Sequence, residues 1–331
     1  MSNTTEKTPN SRPPIKKEHR NKVLITLFVL TALVGAGYWA VVSATGNSAP
    51  PVALALRLAY IAVLYMPVPL YTLLLSRLML GIPVPFRALL SLRQITVKKY
   101  ALVAGLFLAW AVLMISSVAV LSWLWPDTFG HLATTNGHLV HNLEKLIGAS
   151  VDTSAMNMPP TPLAMLPLGI FGALMAGLTV NAIFAMAEEI MWRGYLAQAF
   201  AGRPFCKKYV TIGVLWGLWH IPLIALGYNY GTANALPGSV LFIGFCVVMS
   251  LVLGFVVERT RSVWLAAVLH GTFNGFSQVM LLLVVGGSSL LASSAVGVVS
   301  LLAWLVIVAT IAGLRAVTMK QHSSVSAWQN S

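Results

Sequence analysis

The chain has 331 residues, of which 58% are hydrophobic and only 9% charged, a balance that excludes a water-soluble globular core and leaves a polytopic membrane protein. The net charge of +13 does not call for nucleic acid. Its Lys and Arg residues flank apolar segments, where membrane topology and anionic lipid headgroups account for them.

In chain order, a polar and basic tail over residues 1–22 precedes eight apolar stretches long enough to cross a hydrocarbon core of roughly 30 Å. They fall at 23–44, 52–75, 100–125, 163–199, 209–227, 238–257, 263–285 and 291–313, and residues 316–331 form a second polar tail. Both tails are expected to be disordered, with one transmembrane domain over 23–315 between them. The fourth stretch is too long for one straight crossing and contains Pro167, which predicts an irregular start and a spanning helix nearer 172–196. The first stretch exceeds a cleavable signal core and reads as an uncleaved anchor. The segment 83–100 mixes apolar and basic residues and is expected to lie along the membrane surface. The fold class is therefore all-α, a transmembrane helical bundle.

Orientation follows from the cations. The first tail holds Lys7, Arg12, Lys16, Lys17, Arg20 and Lys22, and the second connection Arg77, Arg87, Arg93, Lys98 and Lys99. The fourth connection holds Arg203, Lys207 and Lys208, the sixth Arg259 and Arg261, and the last tail Arg315 and Lys320; the alternate connections contribute only Lys145. Positively charged loops stay cytoplasmic during insertion, so both termini are expected there. Cys206 and Cys246, one in a loop and one in a span, predict neither a disulfide nor a thiolate metal site.

Six of the eight acidic residues fall in tails, loops or helix ends. The other two, Glu188 and Glu189, lie inside the fourth stretch, AMAEEIMWRGY, where a charge near the bilayer centre costs roughly 2.5 to 3.5 kcal/mol on insertion scales. Glu189 and Arg193 are spaced i and i+4, one helical face apart, which predicts an ion pair. Glu188 points about 100° away and needs other company. The fifth stretch supplies it in VLWGLWHIPL, with Trp216 and His220 on one face, and the seventh in WLAAVLHGTFNGF, with His270 and Asn274 on one face and Gly271 and Gly275 thinning the helix. Counted from the basic connections, these groups reach similar depths.

A carboxylate and an imidazole can deprotonate water for attack on a carbonyl, while a second imidazole and a carboxamide can donate to the oxyanion. The same Glu188, His220 and His270 are also a donor set that zinc accepts, although there is no HExxH helix. No glycine-flanked serine elbow or cysteine beside a histidine supports a nucleophilic mechanism. Trp192, Trp216 and Trp219 read as packing or interfacial anchors, Arg57 as a snorkelling cation, and His131, His138 and His141 as residues of a solvated loop whose HLVH spacing could capture metal.

EEIMWR (188–193), WGLWH (216–220) and HGTFN (270–274), in this order on three stretches, resemble the E-E-x-x-x-R, F-x-x-x-H and H-x-x-x-N motifs of the CPBP family of intramembrane endopeptidases, which includes the type II CAAX prenyl endopeptidases. The resemblance covers about 163–285. It implies a helical bundle with a conical, cytoplasm-facing cavity, Glu188 and His220 activating water, His270 and Asn274 forming the oxyanion hole, and Glu189 and Arg193 in support. Trp216 departs from the family's usual Phe. The implied substrate is a membrane-associated peptide or protein, cleaved near the cytoplasmic face of a membrane, expected to be the bacterial inner membrane. A proton-coupled transporter, with the same glutamates and histidines as a relay, and a non-catalytic scaffold or bacteriocin immunity protein are the competing readings.

Overall fold

A computed structural model describes residues 15–90, 92, 95–154, 156–287 and 290–329, with side chains as far as residue 314. Lys7, Arg12 and Arg93, and the side chains of Arg315 and Lys320, therefore lie outside the described residues. Helix α1 (Lys17–Ala44) takes in the end of the expected N-terminal tail. Helix α2 (Pro50–Tyr60) passes through a π-helical turn at Ile61–Tyr65 into α3 (Val68–Met79), and a short α4 (Phe86–Leu89) precedes α5 (Val97–Leu124). Then come α6 (Pro126–Phe129), β1 (His131–Leu132), α7 (Asn136–Ile147), α8 (Met165–Leu178) and α9 (Val180–Glu189). Helix α9 continues as a π-helical stretch, Ile190–Leu196, into α10 (Ala197–Ala199). Helices α11 (Phe205–Ala225), α12 (Ala235–Thr260) and α13 (Val263–Leu283) follow, then β2 (Val284–Val285), α14 (Leu290–Ser293) and α15 (Val298–Gln329), whose backbone runs on into the expected C-terminal tail.

Among the described residues, seven helices are long and apolar enough to cross a membrane, and the bent pair 162–178 and 180–199 makes eight, close to the stretches expected from hydropathy. The break in the fourth stretch is not at Pro167. Proline is tolerated in the first turn of a helix, where its missing N–H has no intrahelical acceptor, and Pro167 lies in the first turn of α8. The chain instead bends by 54° at Thr179, and both halves pack on α13. Within the segment 83–100, Leu89 is buried against Gly194 of the π-helical stretch, and α5 begins at Val97.

The two ends of the bundle are tied separately. At one end Lys208 pairs with Glu258 at 2.7 Å, Lys99 donates to the Thr260 carbonyl, and Arg20 sits over the Phe200 ring. This end carries the Lys- and Arg-rich connections and is called the basic end below. At the other end β1 pairs antiparallel with β2, Asn142 donates to the carbonyls of Leu282 and Val284, and Tyr230 donates to the Val296 carbonyl. Arg57, in α2, reaches back toward the end of α1 away from the basic end, donating to the Thr45 hydroxyl and the Val42 carbonyl.

Close packing of the spans uses glycine. A Cβ on Gly213 would come within 2.5 Å of the Val247 Cα, so α11 and α12 cross nearly backbone to backbone. A Cβ on Gly271 would meet the carbonyl carbon of Asn181 at 2.7 Å and the nitrogen of Ala182 at 2.8 Å, neither of which can swing away. Gly271→Leu is expected to part α13 from α9 and to destabilise by at least about 1–3 kcal/mol, the usual cost of overpacking. Unfolding of the detergent-solubilised variant, followed by intrinsic fluorescence against temperature, measures this; an unchanged midpoint would contradict the close crossing.

Candidate active site

Glu189 and Arg193 lie on successive turns at the junction of α9 and the π-helical stretch, and they meet as their spacing predicts. Arg193 Nη1 donates to Glu189 Oε1 at 3.0 Å, with both side chains fully shielded. The π-helical geometry spreads one wide turn over Ile190–Leu196, and Ala185 through Leu196 are all buried. The guanidinium lies over the Trp216 ring, 4.3 Å from its centroid, so a cation–π contact supplements the ion pair.

The third partner of this pair comes from another motif. His270 Nδ1 lies 3.0 Å from the same Glu189 Oε1, across the α9–α13 contact that Gly271 permits. A carboxylate accepts, so Nδ1 carries the hydrogen and Nε2 is the atom left for chemistry. In the neutral ring Nε2 is an acceptor; in the imidazolium it is a donor. Glu189 therefore holds both Arg193 and His270, and this second role was not legible in the sequence because the two residues are 81 positions apart.

Glu188 turns the other way. Its Oε2 accepts the Trp216 indole N–H at 2.8 Å, while the side chain lines a cavity of about 480 Å³. His220, 5% exposed, lines the same cavity, with Nδ1 3.0 Å from the Trp216 carbonyl. A carbonyl can only accept, so Nδ1–H is used there and Nε2 keeps its lone pair. The Trp216 ring stands 5.3 Å from that of His270 and 6.1 Å from that of His220. His270 and Asn274 line the cavity too, Asn274 being exposed within it. Thus Glu188, His220, His270 and Asn274 meet around one space.

Trp216, read from sequence as packing, is also the hydrogen-bond donor that holds Glu188. Trp192 and Trp219 stay in the packed core. Asn181, Tyr228 and Gln278 join the cavity wall, and no sequence signal pointed to them. Tyr228 lies in the loop after α11, where burial, and then the charge of Glu188, push its phenol up to about 12; it faces the cavity as a neutral hydroxyl.

Among the described residues no group of three or more His, Cys, Asp or Glu side chains stands together as a metal's ligands would. In the first turn of α7, His138 Nδ1 accepts the Thr134 N–H at 3.3 Å, and its ring meets that of His131 edge-on at 5.4 Å. Cys206 and Cys246 are both free thiols.

Trp216→Phe keeps an aromatic wall but removes the N–H. A hydrogen bond to a charged group contributes about 1.5–3 kcal/mol, so any turnover that depends on the Glu188 carboxylate is expected to fall roughly 10- to 100-fold in kcat with KM little changed. Steady-state kinetics of the purified variant test this, and a change confined to KM would mean that Trp216 shapes the cavity without orienting the carboxylate.

Residues 170–276 match the family model described as type II CAAX prenyl endopeptidase Rce1-like. That stretch contains all the motif residues above. A curated protein named CAAX prenyl protease 2, from Methanococcus maripaludis, is 28% identical over 95 residues. The match covers 27% of this chain, and the chain spans only about a third (35%) of the length of that relative.

Proposed function

We propose that the chain is an intramembrane endopeptidase in which Glu188, His220, His270 and Asn274 hydrolyse a peptide bond of a membrane-associated polypeptide. The observation that carries this reading is their convergence on one cavity from α9, α11 and α13. The Rce1-like match over the same residues supports it.

In this mechanism the Glu188 oxygen not held by Trp216, together with His220 Nε2, orients a water in the cavity. The water oxygen attacks the scissile carbonyl carbon as its proton passes to Glu188. The carbonyl oxygen gains the negative charge, opposite the Asn274 carboxamide and His270 Nε2, a donor in the imidazolium form, with Glu189 fixing the orientation of the ring. Collapse of the tetrahedral intermediate breaks the C–N bond, and the proton returns to the leaving amine. Membrane lipid is the surrounding partner.

The test compares membranes of cells producing the wild type or Glu188→Gln, by mass spectrometry of protein N-termini. New N-termini in membrane-associated proteins should appear with the wild type alone. Identical sets would sink the peptidase reading; Glu188-dependent proton flux in proteoliposomes, without cleavage, would replace it with the transporter.

A further inference from the structure

The cavity has a direction, read helix by helix. Helix α9 runs toward the basic end and contributes cavity residues from Asn181 to Glu188, where the lining stops. Helix α12 also runs toward that end and stops at Met249. Helices α11 and α13 leave the basic end, and their contributions begin only at Trp216 and His270. Helix α13 is buried from Leu265 through Phe273 and becomes exposed at Asn274 and again at Gln278. On the basic side the cavity is floored by a packed layer: Trp192, Tyr195, Tyr209, Leu253 and Leu269, all 0–1% exposed. On the other side it reaches Tyr228 and Asn229, in the loop between α11 and α12, and Val296, which precedes α15.

The site residues thus form the bottom of a well that opens away from the basic end, opposite to the cytoplasm-facing cavity implied by resemblance. Basic connections are retained in the cytoplasm. We infer that the well opens to the extracytoplasmic half of the membrane and takes its polypeptide from that side: an extended segment just outside the outer leaflet, whose apolar side chains face Phe184, Phe242 and Phe245 and whose backbone amides meet Asn181, Asn229 and Gln278 at the mouth. A peptide presented only at the cytoplasmic surface would meet the packed floor. This deepens the proposed function by naming the source of the substrate, and it is tested without any cleavage assay.

The chain supplies its own topological marker in Cys206, exposed beside Lys207 and Lys208 at the basic end. Gln278→Cys places a thiol at the mouth, and Cys246→Ala removes the buried native one. Spheroplasts producing Cys246→Ala with either Cys206 alone or Gln278→Cys alone (Cys206→Ala) are treated with a membrane-impermeant sulfonated maleimide, before and after lysis. The expected result is labelling of Gln278→Cys in intact spheroplasts and of Cys206 only after lysis. The reverse pattern, or equal labelling of both from outside, overturns the extracytoplasmic assignment. A Gln278→Cys thiol that stays unreactive after lysis, while the protein elutes as a folded species, overturns the open mouth; Ser277→Cys, on the same wall, is the second probe if Gln278→Cys does not fold. These outcomes depend on access alone, so loss of the peptidase reading would leave the assignment intact and the reverse is equally true.

Discussion

Glu188→Gln is expected to abolish most turnover while leaving the protein folded. The substitution keeps the size of the side chain and an oxygen for the Trp216 indole N–H, but it removes the group that would take the proton from water. Positioned general-base catalysis contributes about 10²- to 10⁴-fold, so kcat should fall by that factor. His220→Ala should behave similarly, and combining the two should cost much less than the product of the single losses, because both act on the same water. Cleavage of an endogenous substrate, identified from its new N-terminus, measures the rates, and a thermal unfolding curve for each variant separates chemistry from folding. A Glu188→Gln enzyme with unaltered kcat would remove this carboxylate from the mechanism.

The second large effect concerns stability. Arg193→Ala leaves Glu189 in a fully shielded site with His270 as its remaining partner and strips the cation from the face of Trp216. Breaking one side of a buried ion pair costs about 3–5 kcal/mol, so a drop in the unfolding midpoint on the order of 10 °C is expected, or failure to accumulate. The double variant Glu189→Gln, Arg193→Met removes both charges and should recover much of that loss while remaining inactive, since His270 is no longer held by a carboxylate. Equal instability of single and double variants would show that packing around Arg193, rather than charge pairing, is the source of the effect.

Much of the bundle could be read from composition, because a span of about 20 apolar residues has few alternatives. Within the site, the Glu189–Arg193 pair was legible because it is local, set by i,i+4 spacing on one helix. For the same reason Glu188 could be turned away from Arg193 before any coordinates. What lies between helices was not legible. The hold of Glu189 on His270, the indole hydrogen bond from Trp216 to Glu188, and the wall formed by Asn181, Tyr228 and Gln278 depend on how α9, α11 and α13 rotate against one another, and hydropathy does not specify rotation. The bend at Thr179 was missed for a related reason. Pro167 is the conspicuous breaker, yet it sits in a first turn where it breaks nothing, whereas Thr179 marks the place where two halves settle on α13. Counting residues from the basic end puts Glu188, His220 and His270 at similar levels, and they line one cavity, but the count says nothing about which side of them is packed.

The π-helical stretch Ile190–Leu196 carries a consequence for how this region tolerates change in length. A wide turn holds one residue more than an α-helical turn would, so it behaves as a fixed single-residue insertion within the rod. Excising one residue there would restore a regular helix and leave the segments before and after it close to their present phase, because the wide turn and the ordinary turn each close one revolution. Glu188 would keep its register with Trp216 on the neighbouring helix, whereas the same excision within the regular turns of α9 would rotate one flank by about 100° against the other. Insertions and deletions are ordinarily absorbed by loops; here a helix supplies the slack, and homologous chains that keep the glutamate pair should differ by one residue across this stretch more readily than across the turns on either side of it.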